Sequence, residues 1–319
     1  MKIVYIVVLV FSLLSCRNQQ QDNVPPFQRM ENYNGNISFS VEERILATPE
    51  MIINSLNEMD NVITYASYEL NDGEKQLFMN YYDFLPLKYK NVIIEKVVGI
   101  YFINNFLGGG MTLSVFDNSG NMYMVLFFNP KILYTSISEW INFRDNSVFI
   151  DNDNKISLIT ECGSNYYALI HTLVHETSHV YDFYNNVTPF TEEYLKNDQT
   201  KFPTDFIKDI WNNIDEPIEE YNYESRKNIS FYGLGEKIDK KNAARIFTLL
   251  KNTPFNSLYG SKTWAEDFAE SFTWYYLSEY YNTNYITIIM EDEKPIIIYD
   301  PNDNELVKRR YEIFEEIVK

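Results

Sequence analysis

The chain of 319 residues is 45% hydrophobic and 16% aromatic, which supplies a packed core and excludes a disordered polypeptide. Its 27 Lys and Arg against 45 Asp and Glu give a net charge of −18, which argues against nucleic acid or an anionic lipid surface as an electrostatic partner, since both need clustered bases. The acid is spread along the chain and reads as a solubilising surface.

Lys2 precedes an apolar run over residues 3–14, followed by Ser15-Cys16 and polar Arg17-Asn18-Gln19. That run is shorter than the about 20 residues needed to span a bilayer, so residues 1–15 read as an export signal. Leu13-Leu14-Ser15-Cys16 resembles the lipobox of bacterial lipoprotein signal peptides. The resemblance implies cleavage before Cys16, acyl chains on its thiol, and a protein held at the cell envelope, on the outer membrane or the outer face of the cytoplasmic membrane. Cys162 would then be the remaining thiol, without a disulfide, and reads as a small buried apolar residue.

Residues 16–35 are rich in Asn, Gln and Pro and read as a flexible tether. Residues 36–319 read as one folded unit, with an N-terminal α/β lobe to residue 160 and a mostly helical lobe from 161. A short strand is expected over 36–41. A helix follows, started by Thr48 as capping hydroxyl, Pro49 and Glu50, with Ile52, Leu56 and Met59 as its stripe. Further helices are expected from Gly73 to Pro86 and over 87–96. The period then changes: 97–102, 111–116 and 123–128 are β-branched and aromatic runs, the last two joined by a turn at 117–121. Gly108-Gly109-Gly110 before the second of them is a flexible loop or a place where a substrate backbone can approach. A short helix over 138–143, a strand over 148–151 and a polar loop lead to residue 171.

The chain has 3 histidines, His171, His175 and His179, all in one helix-patterned segment, one turn apart. His175-Glu176-Thr177-Ser178-His179 matches HExxH, the arrangement in which two imidazoles one turn apart hold Zn²⁺ and the intervening Glu serves as general base. His171 is followed by Thr172, so the pair His171 and His175 lacks that carboxylate; His171 is expected at the rim or in a structural role. Asp182, three residues beyond His179, either orients a ligand imidazole or lies at the surface. Beyond a long connection over 187–257, with helical pieces expected over 205–213 and 241–250, Glu266 and Glu270 share one face of an aromatic helix. They read either as a solvated acidic edge or as a third zinc ligand, Glu266, with Glu270 bonded to a ligand from behind. The cluster Asp215, Glu216, Glu219 and Glu220 is the competing source of a third ligand. A strand pair over 285–299 and a helix over 305–318 close the chain.

Leu173-Val174-His175-Glu176 with His179 and Asp182, and Tyr259-Gly260 with Ala265-Glu266, Phe268, Ala269 and Glu270, together resemble zincin metallopeptidases with a Glu third ligand, specifically the catalytic domain of anthrax lethal factor and its relatives. The resemblance covers these two stretches and assumes an insertion between them. It implies an α+β zincin-like fold: a small mixed sheet, then the HExxH helix, then a mostly helical lobe. It also implies His175, His179 and Glu266 as zinc ligands, Glu176 as general base and Tyr259 as the phenol that steadies an oxyanion. The expected activity is hydrolysis of a peptide or protein substrate by a membrane-anchored metallopeptidase. The alternative is a surface lipoprotein in which an inactive fold of this type binds a peptide or a host molecule.

Overall fold

The computed structural model describes residues 24–152, 155–163, 165–189 and 203–319, so the expected signal segment and Cys16 lie outside the described residues. The described chain starts with two 3₁₀ turns, Pro26–Gln28 and Met30–Asn32, followed by strand β1 (Ile45–Leu46), helix α1 (Glu50–Met59), strand β2 (Ala66–Tyr68) and helices α2 (Asp72–Tyr82) and α3 (Leu87–Lys96). Asn71 caps α2 in a reciprocal box, its side chain accepting from Glu74 N while the Glu74 carboxylate accepts from Asn71 N. Pro86 sits at the N-cap of α3 and forces the break between the two helices.

Strands β3 (Val97–Asn104), β4 (Gly110–Phe116) and β5 (Met122–Phe128) form a five-stranded mixed sheet with β1 and β2. Its path is β1-β3-β5-β4, with β2 also on β3; β1 and β5 run parallel to β3, while β4 runs antiparallel to β5 and forms an edge. Both faces are covered, which explains why β3 and β5 read as almost unbroken apolar runs. Val98, Tyr101, Ile103 and Phe127 pack with Ile52 and Leu56 of α1. On the opposite face Ile100, Phe102, Leu126 and Phe128 pack with Phe78 of α2 and Tyr89 of α3.

Four expectations for this half are corrected. The tether does not extend to residue 35: Phe27, Met30 and buried Tyr33 recur every third residue and pack onto the sheet. Residues 36–41 form turns instead of a strand, and the first strand is β1. Thr48 does not cap α1, whose N-cap is Pro49 without a side-chain bond. The lobe boundary at 160 cuts through a strand that belongs to a second sheet.

That strand is β7 (Ile156–Glu161), which follows helix α4 (Ile137–Asn146) and strand β6 (Phe149–Ile150) and was expected as loop. The motif helix is α5 (Leu169–Asn185). After it come the hairpin β8 (Trp211–Asn213) and β9 (Glu216–Pro217), strand β10 (Ile238–Asp239) beside β6, helices α6 (Ala243–Leu250) and α7 (Trp264–Tyr281), hairpin β11 (Ile286–Glu291) and β12 (Lys294–Tyr299), and helices α8 (Glu305–Lys308) and α9 (Tyr311–Val318). Strand β11 pairs antiparallel with both β7 and β12. The helix expected over 205–213 is turn and strand, because the Trp211 indole donates to buried Asp267. The expected terminal helix breaks between α8 and α9, where Arg310 turns inward onto the same Asp267. The molecule is thus α+β, and no described helix is long and apolar enough to cross a membrane.

Candidate metal centre

Helices α5 and α7 lie side by side and carry the two halves of the site. Every residue of α5 from Leu169 to Val180 is buried, so its histidines face α7 and not solvent. Tyr89 of α3 meets Ser178 on the back of the helix at 3.0 Å, which leaves Thr177 and Ser178 turned from the histidines. Helix α7 starts at Thr263, whose hydroxyl accepts from Glu266 N and so fixes Glu266 in the first turn.

His175 Nε2 lies 3.1 Å and His179 Nε2 3.5 Å from one oxygen, Glu266 Oε2. Ligand atoms about 2.1 Å from a tetrahedral ion stand about 3.4 Å apart, so these spacings fit a single ion held by all three side chains. The electrostatics agree. Burial disfavours a charged His175, yet the Glu266 and Glu270 carboxylates outweigh it and lift its pKa to about 10. Burial would likewise raise Glu266, but His179 and His175 overcome it and bring the carboxyl down to about 2. The Glu266 carboxylate is thus an anion held between two imidazoles, a donor set that could hold a metal ion. No family model, curated protein or solved structure matches the chain. The residues themselves therefore carry the reading.

Glu176 stands beside this cluster, buried, with its carboxyl raised above the usual range by burial, an effect that His175 and His179 partly offset. The Thr112 hydroxyl of edge strand β4 holds it, 2.9 Å from Oε2. Gly110 allows the close approach: a Cβ there would lie 2.8 Å from Glu176 Cγ. At Gly110 it is the Glu176 side chain that makes the close approach.

Glu270 is completely buried one turn beyond Glu266, which rules out the solvated edge. Its Oε1 lies 3.3 Å from His175 Nδ1, the nitrogen turned away from Glu266. Arg144 Nη1 donates to that Oε1 at 2.8 Å, while Ser257 and the Trp274 indole donate to Oε2. Burial opposes the charge, but Arg144 dominates and holds the carboxyl well below its ordinary value. His171 also approaches Glu270, at 3.3 Å, and is neutral because burial lowers it to about 4. His171, His175 and Glu270 form a second three-residue group of metal-ligating type. The guanidinium already on Glu270 fills the cation role there, so this group supports His175.

Tyr259 meets His175 edge to face, with ring centroids 5.8 Å apart, and Arg144 lies over its ring. Burial pushes its hydroxyl well above the normal range, so the phenol stays a donor. Asp182 is placed differently from expectation: its oxygens accept from Thr188 N and Oγ1 and close the end of α5, while His179 Nδ1 has no partner. Glu216 sits on the β9 hairpin with Asn213 and Lys227 and belongs to neither cluster. Thr112, Arg144 and Tyr232 of the long connection, which lines the cavity at the site, escaped the sequence reading. For Thr112 a signal existed in its place two residues past the glycine run; Arg144 and Tyr232 had none.

Proposed function

We propose that the protein is a zinc-dependent metallopeptidase of zincin-like fold, held at the cell envelope through Cys16. The observation that carries this reading is the convergence of two Nε2 atoms on Glu266 Oε2 with Glu176 fixed alongside. Two nitrogens and a carboxylate oxygen are a donor set suited to zinc, and three protein ligands leave one position open, as a catalytic site requires. When bound, zinc would polarise a scissile carbonyl and acidify a water. His175 and His179 would hold the ion, with the Glu270 carboxylate 3.3 Å behind His175 at Nδ1.

The rest is done by the chain. Glu176, whose carboxyl is raised toward the working range, takes a proton from the attacking water and passes it to the leaving amine. The Tyr259 phenol, kept protonated, donates to the carbonyl oxygen as negative charge develops. The end of strand β4 at residues 110–112 lies at the sheet edge beside Glu176, where an extended peptide can pair by main-chain hydrogen bonds, while at its far end Phe116 is bridged by Arg29. The intact Glu176 and its dedicated support from Thr112 favour catalysis over a binding module.

The test is metal content by elemental analysis together with cleavage of a peptide mixture, with and without chelator. One zinc per chain and chelator-sensitive cleavage are expected. Metal-free protein after reconstitution would overturn the proposal.

A further inference from the structure

A cavity of about 210 Å³ is lined at one end by His175, Glu176 and Tyr259 and continues toward Thr172, Trp140 and Arg144 beside the glycine run. Arg144 is 2% exposed. Its Nε donates to Asp145 at 3.0 Å and its Nη1 to Glu270 at 2.8 Å, while Nη2 is buried without a hydrogen-bond partner in a guanidinium that lies over the Tyr259 ring, 5.2 Å from its centroid. A buried guanidinium arm left unpaired costs stability unless something else accepts from it. Two carboxylates already match the single positive charge of Arg144, and Glu176 lines the same space. A third anion would be repelled there, whereas a neutral oxygen completes the set. Thr172 Oγ1 faces the cavity where a Cβ on Gly109 would lie 2.9 Å away, and it can accept from an amide N–H.

We propose, on the peptidase reading above, that this cavity receives the side chain of the residue after the scissile bond and selects an uncharged amide, Gln or Asn, whose carbonyl oxygen accepts from Arg144 Nη2. The side of the cleft follows from Glu176. That carboxyl returns its proton to the leaving nitrogen, so the residue that supplies the nitrogen lies against it, and its side chain enters the adjoining cavity.

The test uses three hydroxamates, which bind zinc directly, carrying a Gln-like, a Leu-like or a Glu-like arm, measured by calorimetry on the zinc-loaded protein; matching peptides are measured for kcat/KM. The Gln-like arm is expected to bind at least about tenfold tighter than either other arm. In Arg144→Lys, which keeps a cation beside Glu270 but lacks the third nitrogen, the preference falls to about one. Gly109→Ala, whose added carbon also lies 3.1 Å from Trp140 Nε1, narrows the cavity and removes the preference without touching Arg144. Equal or tighter binding of the Leu-like or Glu-like arm overturns the inference. A Gln-like preference in binding with no cleavage of any peptide sinks the peptidase reading and leaves the pocket assignment standing. Failure of all three arms to bind overturns both.

Discussion

The Thr112 hydroxyl lies 2.8 Å from the Glu176 carbonyl oxygen and 2.9 Å from its Oε2, so one side chain of the edge strand fixes the proposed general base to the sheet. A hydrogen bond to a carboxylate favours its charged form, and only the charged form takes a proton. Thr112→Val raises the Glu176 pKa, which moves the acidic limb of the kcat/KM profile to higher pH and lowers the plateau about tenfold. Glu176→Gln removes the base itself and costs about 100-fold or more. Both variants are expected to bind zinc as the wild type does on the proposed reading. A limb that stays in place in Thr112→Val shows that the hydroxyl does not tune the base.

Metal content separates Glu266 from its competitor. Glu266→Ala deletes the oxygen on which both Nε2 atoms converge and is expected to lose zinc, whereas Glu216→Ala, on the β9 hairpin, retains one ion per chain. Equal zinc in both variants refutes the ligand assignment.

Tyr259→Phe removes a hydroxyl and leaves the ring against His175 and beneath Arg144. The expected result is unchanged zinc and KM with kcat lower by about 100-fold, the usual cost of one lost donor to a developing oxyanion. A fall in metal content would instead place the phenol among the groups that hold the ion.

What could be read from the sequence followed helical spacing. His175 and His179 are one turn apart, Glu266 and Glu270 are one turn apart, and two packed helices bring the pairs together without any long-range guess. Strands β3 and β5 announced themselves because a sheet covered on both faces needs almost uninterrupted apolar runs. Arg144 was silent because its partner Glu270 is 126 residues away, and no local pattern marks a pairing made by tertiary structure. Tyr33 was hidden by averaging: three anchors, Phe27, Met30 and Tyr33, sit in a stretch whose overall composition is that of a linker. Asp182 went the other way, with a motif position suggesting the metal and the chain end of α5 claiming the carboxylate for Thr188.

A stability prediction rests on Glu74, far from the site. Its Oε1 accepts from the hydroxyls of Tyr68 at 2.6 Å and Tyr134 at 2.5 Å, and its other oxygen closes the α2 capping box with Asn71 N. Burial acts to raise the carboxyl, but the Tyr134 and Tyr68 bonds prevail and lower it below its usual value, while Tyr134 is itself pushed up to about 12. A carboxylate lowered in the folded state contributes stability above its unfolded pKa of about 4.3 and loses it as the pH falls through the folded value. Glu74→Gln therefore costs about 1 kcal/mol at pH 7, the scale of a lost cap or charged hydrogen bond. The gap between wild type and variant narrows as the pH falls below about 4. Urea unfolding at pH 7 and pH 3 measures both; a gap of equal size at the two values shows that the phenols bind the acid and the carboxylate alike.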